Sequence, residues 1–589
     1  MAKPPSISTD PNASRQNSNA DWSYEGSIKA CASLPTASAF YSFQHYSALA
    51  GFLSESVEDY GPYEPRKSSA LAEPSDEDPP ATFHSYLSDG SLQKKCARNE
   101  TELLSILKSP QQQGNTGTTV FLRGNQTKEW ITAIGDRYRI DHEFWRRHLD
   151  SGHSTGEANI YTDSFLPSSN TNMLQMRMTT LGEKREATGL KGKSRHEALA
   201  LRRQQADISM TRYTEGLSRR RAPMRHGESV VRQFSLHDLY LFSIEQNISL
   251  WMGSDPQSTG WVVVIWLDFG RNLCQVGSGE SAPWQSDSTS TTAPVHCKPT
   301  VQYRPGIVLN RQVHRSNRRR KTGGGDRGDD DKGSIAQTAC LLHEECGNLL
   351  DKSVACHDPY YACSDVFRFV AAAEAQFLEM AEVMLTREMA ASRDGSVQAE
   401  KPLIMWSLQY NRQALMRHLE NIQAILEFVE GREQSDYSHQ GSLGEKSKVA
   451  GDMAKLLVKD YRYLLRRAEA LAREYQTGMT TLMNAATIDE SQRAIVQAEG
   501  IIKLTGLAFF FVPLTFTTSI FGMNFKEITQ GSQLSIWVWG IMVFISLLFS
   551  AAFQQWFSWR QKGHTINKTK VWESMGKREE LGMDHKAVV

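Results

Sequence analysis

The first feature of this sequence that can do chemistry is a carboxamide at the end of an apolar run. Asn524 follows Gly522 and Met523 near the close of Leu504–Phe525, 22 residues without a charged side chain (LTGLAFFFVPLTFTTSIFGMNF). An amide carbonyl is a hard, neutral oxygen. Several of them grouped at the mouth of a helix bundle can hydrogen-bond the water shell of a small dication without stripping it and without holding it too tightly to leave. Gly522 lets the backbone turn there, and Met523 is a flexible apolar packer. Stepping back along a helix from the carboxamide, Ser519, Thr515, Val512, Ala508 and Leu504 fall on one face. That face is the least bulky of the segment. The others carry Phe509, Phe510, Phe511, Phe516 and Phe521. A stripe of small and hydroxyl side chains suits close helix packing, and it equally suits an aqueous path.

No competing chemistry has comparable support. Cys340, His343, Cys346, Cys356, His357 and Cys363 lack the paired C-x2-C spacing that presets a tetrahedral zinc site, and they read as ordinary thiols and imidazoles at a helix start. H-E-x-x-H, P-loop, G-x-S-x-G and EF-hand patterns are missing, so an enzyme is not expected. The 66 Lys and Arg balance 66 Asp and Glu across 589 residues, which leaves no global field for nucleic acid; none is expected as a partner. Eight scattered cysteines read as reduced thiols. With a mean hydropathy of −0.46, most of the chain belongs in water.

The apolar run has a companion. Ile528–Trp559 is also uncharged, with its apolar heart at Ile536–Phe557. Each stretch can cross about 30 Å of hydrocarbon as a helix. Arg560, Lys562, Lys568 and Lys570 follow the second stretch, whereas the connector holds only Lys526 and Glu527. The positive-inside bias therefore puts both termini in the cytosol and the hairpin tip outside. Trp537, Trp539, Trp556 and Trp559 stand where interfacial aromatics are expected.

The polar part divides by pattern. Residues 1–115, rich in Ser, Pro and acids, read as a mostly disordered arm. Residues 116–345 read as a cytosolic α/β domain: strands at Thr118-TVFLRG and Gly260-WVVVIWLDF, helices at Gln126–Tyr138 and after Asp141 as a cap, and polar or basic insertions at about 154–232 and 273–335. Residues 346–500 read as a stalk of long helices. Apolar stripes run through Val366, Val370, Ala373, Phe377, Met380 and Met384; through Leu408, Leu415, Leu419, Ile422 and Leu426; and through Met453, Leu457, Tyr461, Leu464, Ala468, Leu471 and Tyr475. The last helix is expected to break near Asn484–Asp489 and then to run into the first span, where it can carry motion. The spans are placed at 501–523 and 535–557, with an outer loop at 524–534 and a basic cytosolic tail at 558–589.

Gly522-Met523-Asn524, preceded by Val512-Pro513-Leu514-Thr515-Phe516 at the exit of the first of two terminal spans, resembles the CorA-type magnesium channel family. The close match covers about 16 residues, and the large polar insertions look like those of fungal members. The resemblance implies an α+β/α membrane protein with a cytosolic α/β domain, a helical stalk and two C-terminal spans. It also implies a homo-oligomer, a pentamer, in the plasma membrane, and conduction of Mg²⁺ or related divalent cations without a cofactor. Gly522, Met523 and Asn524 would then be the selectivity motif, with Asn524 meeting the ion through its water. Leu504, Ala508, Val512, Thr515 and Ser519 would line the pore, Val512 and Leu504 narrowing it. The family's outer loop usually continues Met-Pro-Glu-Leu; here it reads Lys526-Glu527-Ile528, so Lys526 offsets the outer-loop charge of Glu527. The alternative is a membrane-anchored scaffold of the same fold that does not conduct.

Overall fold

The computed structural model describes residues 23–33, 43–54, 79–109, 115–150, 171–183, 192–218, 226–270, 273, 282–284, 296–303, 337–393, 400–434, 444–522, 537, 540–553, 555–556 and 559. The chain divides into two units, Met1–Thr480 and Thr481–Val589.

The first unit is built on an eight-stranded sheet: β1 (Ala81–Leu87), β2 (Leu92–Ala97), β3 (Asn115–Arg123), β4 (Met173–Glu183), β5 (Gln233–Leu236), β6 (Leu241–Ser254), β7 (Trp261–Leu267) and β8 (His296–Cys297). The order is β2-β1-β3-β7-β6-β4-β8, with β5 also paired to β6. Only β3 and β7 run parallel; the remaining pairs are antiparallel. Every residue of β7 is buried, which explains its unbroken apolar run WVVVIWL. Gly117 of β3 sits where a Cβ would lie 2.1 Å from the Trp261 ring, so only glycine fits beneath that indole.

One face of the sheet is covered by α1 (Tyr24–Ala32), α2 (Ser47–Ser54), α3 (Glu100–Lys108), α4 (Lys128–Tyr138) and α5 (His142–Leu149). Tyr24, Ile28, Leu49, Leu53, Trp130, Ile131, Phe144 and Trp145 share a core with Val120, Leu122, Val262, Val264 and Trp266. Tyr24 fastens α1 in place: its hydroxyl donates to the Ile140 carbonyl at 2.6 Å and accepts from Trp145 Nε1 at 2.8 Å. As expected, Asp141 caps α5 by accepting from the Glu143 N–H at 2.8 Å.

The polar part is more structured than its composition suggests. Inside the stretch read as an arm, α1, α2, β1, β2 and α3 are formed, so the sheet begins at Ala81 and not at residue 116. Inside the stretch read as an insertion lie β4 and α6 (Arg195–Ser218). Burial of alternate side chains overrides a polar local composition in both places: Met173, Met176 and Met178 of β4 are buried, as are Tyr24 and Ile28 of α1.

Short helices α7 (Leu342–Glu345), α8 (Lys352–Ala355) and α9 (Pro359–Ala362) lead into α10 (Ser364–Arg393), α11 (Lys401–Glu430) and α12 (Gly444–Gly522). The stripes expected in the sequence are the packed faces: Val366, Val370, Phe377, Leu408, Leu415, Ile422, Leu457, Tyr461 and Tyr475 are all buried. Two hydroxyls set the register of α12 on α10, Tyr461 donating to the Phe367 carbonyl at 2.8 Å and Tyr475 to that of Ala381 at 2.7 Å. The interval is the same in both helices, so they run parallel, and α11 runs back along α10, with Ser407 on Glu388 and His418 on Glu374. The expected break at Asn484–Asp489 is absent; α12 is continuous to Gly522. Thr487 and Ser491 there fold their hydroxyls back onto the Met483 and Thr487 carbonyls at 2.9 Å, which keeps their polar groups within the helix.

Asn421 of α11 covers exposed backbone of β4. Its Oδ1 accepts from the Arg177 N–H at 2.7 Å, and its Nδ2 donates to the Arg177 carbonyl at 2.9 Å and to Glu374 Oε1 at 2.8 Å. Glu374 also bonds His418 Nδ1 at 2.7 Å. Asn421→Ala leaves a backbone pair and a buried carboxylate oxygen unsatisfied. We expect a loss of about 2–4 kcal/mol in denaturant unfolding of the full chain, while Gln423→Ala on the exposed side of the same helix stays within about 0.5 kcal/mol.

Candidate functional site

From Leu504 onward α12 has no charged residue, and it is the one helix among the described residues that is long and apolar enough to cross a membrane. A shorter apolar helix, α13 (Gly540–Phe553), lies in the same unit. The two meet through Phe509 and Phe553, whose ring centroids are 5.8 Å apart, and Phe553 continues to Trp556 at 5.8 Å.

This contact gives α12 a back and a front. Gly506, Phe509, Pro513 and Leu514 are half-buried and Thr517 is buried. At 100° per residue these five cluster on one side of the helix. Leu504, Ala508, Val512, Thr515 and Ser519 cluster on the opposite side, and all five are exposed; Leu504 is 68% and Val512 64% accessible. The structure therefore brings together the five residues predicted as a stripe, and α13 does not cover them. Phe511 and Phe516 are also exposed, at positions flanking the stripe.

The chemistry of the stripe depends on where its hydroxyl hydrogens go. Pro513 sits inside the helix and has no N–H to give to the preceding turn. Just beyond it, Thr515 Oγ1 donates to the Phe511 carbonyl at 2.8 Å, with the Val512 carbonyl at 2.9 Å. Thr517 donates to the Leu514 carbonyl at 2.9 Å, and Thr518 has the Leu514 and Thr515 carbonyls within 2.9 Å. A hydroxyl whose hydrogen is turned inward presents lone pairs outward. It can accept from water, including water bound to a cation. Thr518, beside the stripe, was missed in the sequence reading; its signal is its place five residues after a mid-span proline. Gly522 is the last residue of α12, and Met523, Asn524 and Glu527 lie outside the described residues.

The first unit contains a constellation that the sequence does not announce. His148 Nδ1 lies 2.8 Å from Ser249 Oγ, and His148 Nε2 lies 3.1 Å from Asp268 Oδ1. Serine, imidazole and carboxylate in a row resemble a nucleophilic triad, but all three are buried and Trp266 stacks on the imidazole at 3.9 Å. Arg232 binds both oxygens of Asp268, at 2.7 and 2.9 Å, and the Asn247 N–H adds a third donor at 2.6 Å. Burial drives the Asp268 carboxyl pKa up, yet Arg232 and His148 together outweigh it and hold the group at about 2. Burial keeps His148 below its ordinary 6.5. The group is a buried electrostatic joint. Among the described residues no three His, Cys, Asp or Glu are placed to hold a metal ion. The thiols Cys346 and Cys356 instead contact the carbonyls of Ala362 and Ser353, at 3.9 and 3.2 Å.

Residues 443–555 match the family described as CorA-like Mg2+ transporter protein. No curated protein matches the chain. Among solved structures it is similar to the complete structure of the CorA magnesium transporter from Methanocaldococcus jannaschii, at 10% identity and a TM-score of 0.29, covering 80% of this chain and 96% of that one. A TM-score this low transfers no residue's role.

The joint makes a testable claim. Asp268 contributes stability that is present above pH 3.8 and is lost as pH falls through about 2. In far-UV circular dichroism, Asp268→Asn is expected to lose about 3–5 kcal/mol at neutral pH by leaving Arg232 uncompensated. Its unfolding then depends less on pH between 4 and 2 than that of the wild type. Ser249→Ala costs only about 1 kcal/mol.

Proposed function

We propose that this chain, whose C-terminal part is a CorA-like Mg2+ transporter domain, is a homo-oligomeric channel for divalent cations, Mg²⁺ foremost, with α12 as its pore helix. The observation that carries the reading is the exposed stripe Leu504, Ala508, Val512, Thr515 and Ser519 on the side of α12 turned away from α13. In hydrocarbon, the outward lone pairs of Thr515 and the exposed hydroxyl of Ser519 are unfavourable. They become useful when copies of α12 surround a water-filled axis.

Five copies follow from the family resemblance. Both termini are cytosolic, α12 and α13 are the two spans, and the membrane is the plasma membrane. Asn524 of each copy, after Gly522 and Met523, places its carboxamide at the outer mouth and holds the ion through its hydration water. Thr515 and Ser519 accept hydrogen bonds from that water deeper in. Val512 and Leu504 are apolar constrictions that close by dewetting. An inward-negative potential contributes about 2.3 kcal/mol per charge per 100 mV. Lys526 weakens the cation-attracting field of Glu527, which makes the carboxamides the main source of selectivity. The protein needs no resident cofactor, and the ion is cargo.

Flux into liposomes tests the reading. Wild type is expected to pass Mg²⁺ and Asn524→Ala to pass none, with the oligomer intact by native mass spectrometry. Thr515→Val is expected to reduce flux several-fold without loss of helix. A monomeric protein, or equal flux in wild type and Asn524→Ala, overturns the channel and leaves the membrane-anchored scaffold.

A further inference from the structure

Four elements of the first unit meet around one imidazole. His196, at the start of α6, is buried and has a carboxylate on each ring nitrogen: Glu388 Oε2 of α10 lies 2.9 Å from Nε2, and Glu400 Oε2, immediately before α11, lies 2.6 Å from Nδ1. An imidazole can donate through both nitrogens only as the cation. Both carboxylates are acceptors, so the two contacts are complete only when His196 is protonated; the Arg195 guanidinium, 3.5 Å from Nε2, opposes that charge.

The surrounding charges have been placed from every side. On α6, Arg195 reaches Glu388 at 3.3 Å and Asp238 at 3.0 Å, and Arg203 is buried with donations to the Leu236 and His237 carbonyls at 2.8 and 3.2 Å. From the β5–β6 turn, Asp238 also pairs with Arg387 of α10. From α11, Ser407 donates to Glu388 Oε1 at 3.3 Å. On α12, Tyr475 is close enough to feel the Glu388 charge, while its hydroxyl is held by Ala381. Glu388 has Arg195 and Ser407 besides His196. Glu400 pairs with His196, and it is the more exposed carboxylate, at 25%.

We propose that His196 is a proton-operated latch that fastens the start of α11 to α6 and α10, and that its release at alkaline pH regulates ion passage; the regulatory half rests on the channel reading above. With the proton, one cation bridges two anions. Without it, one nitrogen becomes an acceptor facing a carboxylate, and the freed contact is the peripheral one, Glu400. The two carboxylates hold the His196 pKa above its ordinary 6.5 against the opposing effect of burial. The sign is therefore fixed: the stabilisation is complete below pH 6.5 and is lost as pH rises through the higher folded value.

Hydrogen exchange of full-length protein in nanodiscs, corrected for intrinsic rates, tests the latch on peptides covering 400–410. In the wild type, protection is expected to fall at least tenfold between pH 6.5 and 9. His196→Gln is expected to be weakly protected throughout. Glu400→Gln keeps the shape but removes one anion, so its transition moves to lower pH. Liposome flux of Mg²⁺ is then read against pH on the side facing the first unit. It should change over the same interval in wild type and be flat in His196→Gln. Identical exchange profiles in wild type and both variants overturn the latch, and an unaltered flux profile in His196→Gln overturns its regulatory role. Absence of wild-type flux with a working exchange transition tells against the channel and not the latch.

Discussion

Water-accepting oxygens on an uncharged helix are the constraint from which the second unit's arrangement follows. Leu504 to Phe525 holds nothing charged, so it belongs in hydrocarbon, yet Thr515 and Ser519 put hydroxyls on its exposed front. The Thr515 hydrogen goes to the helix's own backbone, and what remains outward is an acceptor. Lipid has no donor for it; water or a neighbouring polar group does. The back of the helix is settled by the Phe509–Phe553 contact. Among the described residues nothing covers the front, and the ring of copies around water proposed above would supply the donors.

The first unit solves the opposite problem. It buries many charges and pairs several of them locally. Asp268 has Arg232, Glu245 has Arg417 at 2.7 Å, and Asp255 has Arg137 at 2.8 Å. Such pairs give little net stability over an apolar core of the same shape, but removing one partner is expensive. They fix which helix lies on which strand. The Ser249, His148 and Asp268 row shows why distances alone do not make a reactive centre: the imidazole is sealed under Trp266 and the carboxylate already belongs to an arginine.

Local pattern carried some of this and not the rest. Trp261–Leu267 is legible because a strand buried on both faces must be apolar throughout, α4 is legible from its period, and α5 from its Asp141 cap. The α12 stripe is legible because it depends only on helical geometry. Strand β4 is not, since its methionines alternate with Gln175, Arg177 and Thr179 in basic surroundings. Asn421 and Arg177 are 244 residues apart, and His237 and Asn411 174; no window of sequence contains both sides of such a bond. Thr487 and Asp489 suggested a break by composition, but hydroxyls that bond their own helix remove the reason for one.

Pro513 ties the polar chemistry of α12 to one depth. In a soluble helix it would cost about 3 kcal/mol; within a span, nearby hydroxyls and neighbouring helices can serve the disturbed backbone. Thr515, Thr517 and Thr518 all lie within five residues of it, and their hydroxyls bond the carbonyls of residues 511 to 515. The proline deprives the Phe509 carbonyl of its helical donor, and at the same depth the threonines keep their own hydroxyl hydrogens within the helix. On its exposed side, Val512 is apolar and Thr515, one turn further toward Gly522, is an acceptor. In the proposed pore, a hydrated cation coming from the Asn524 end meets oxygen first and hydrocarbon next. The step from a wetted to a wettable-only-when-wide level then falls at Val512. In that proposal the constriction at Val512 adjoins Pro513, where the helix lacks one backbone hydrogen bond.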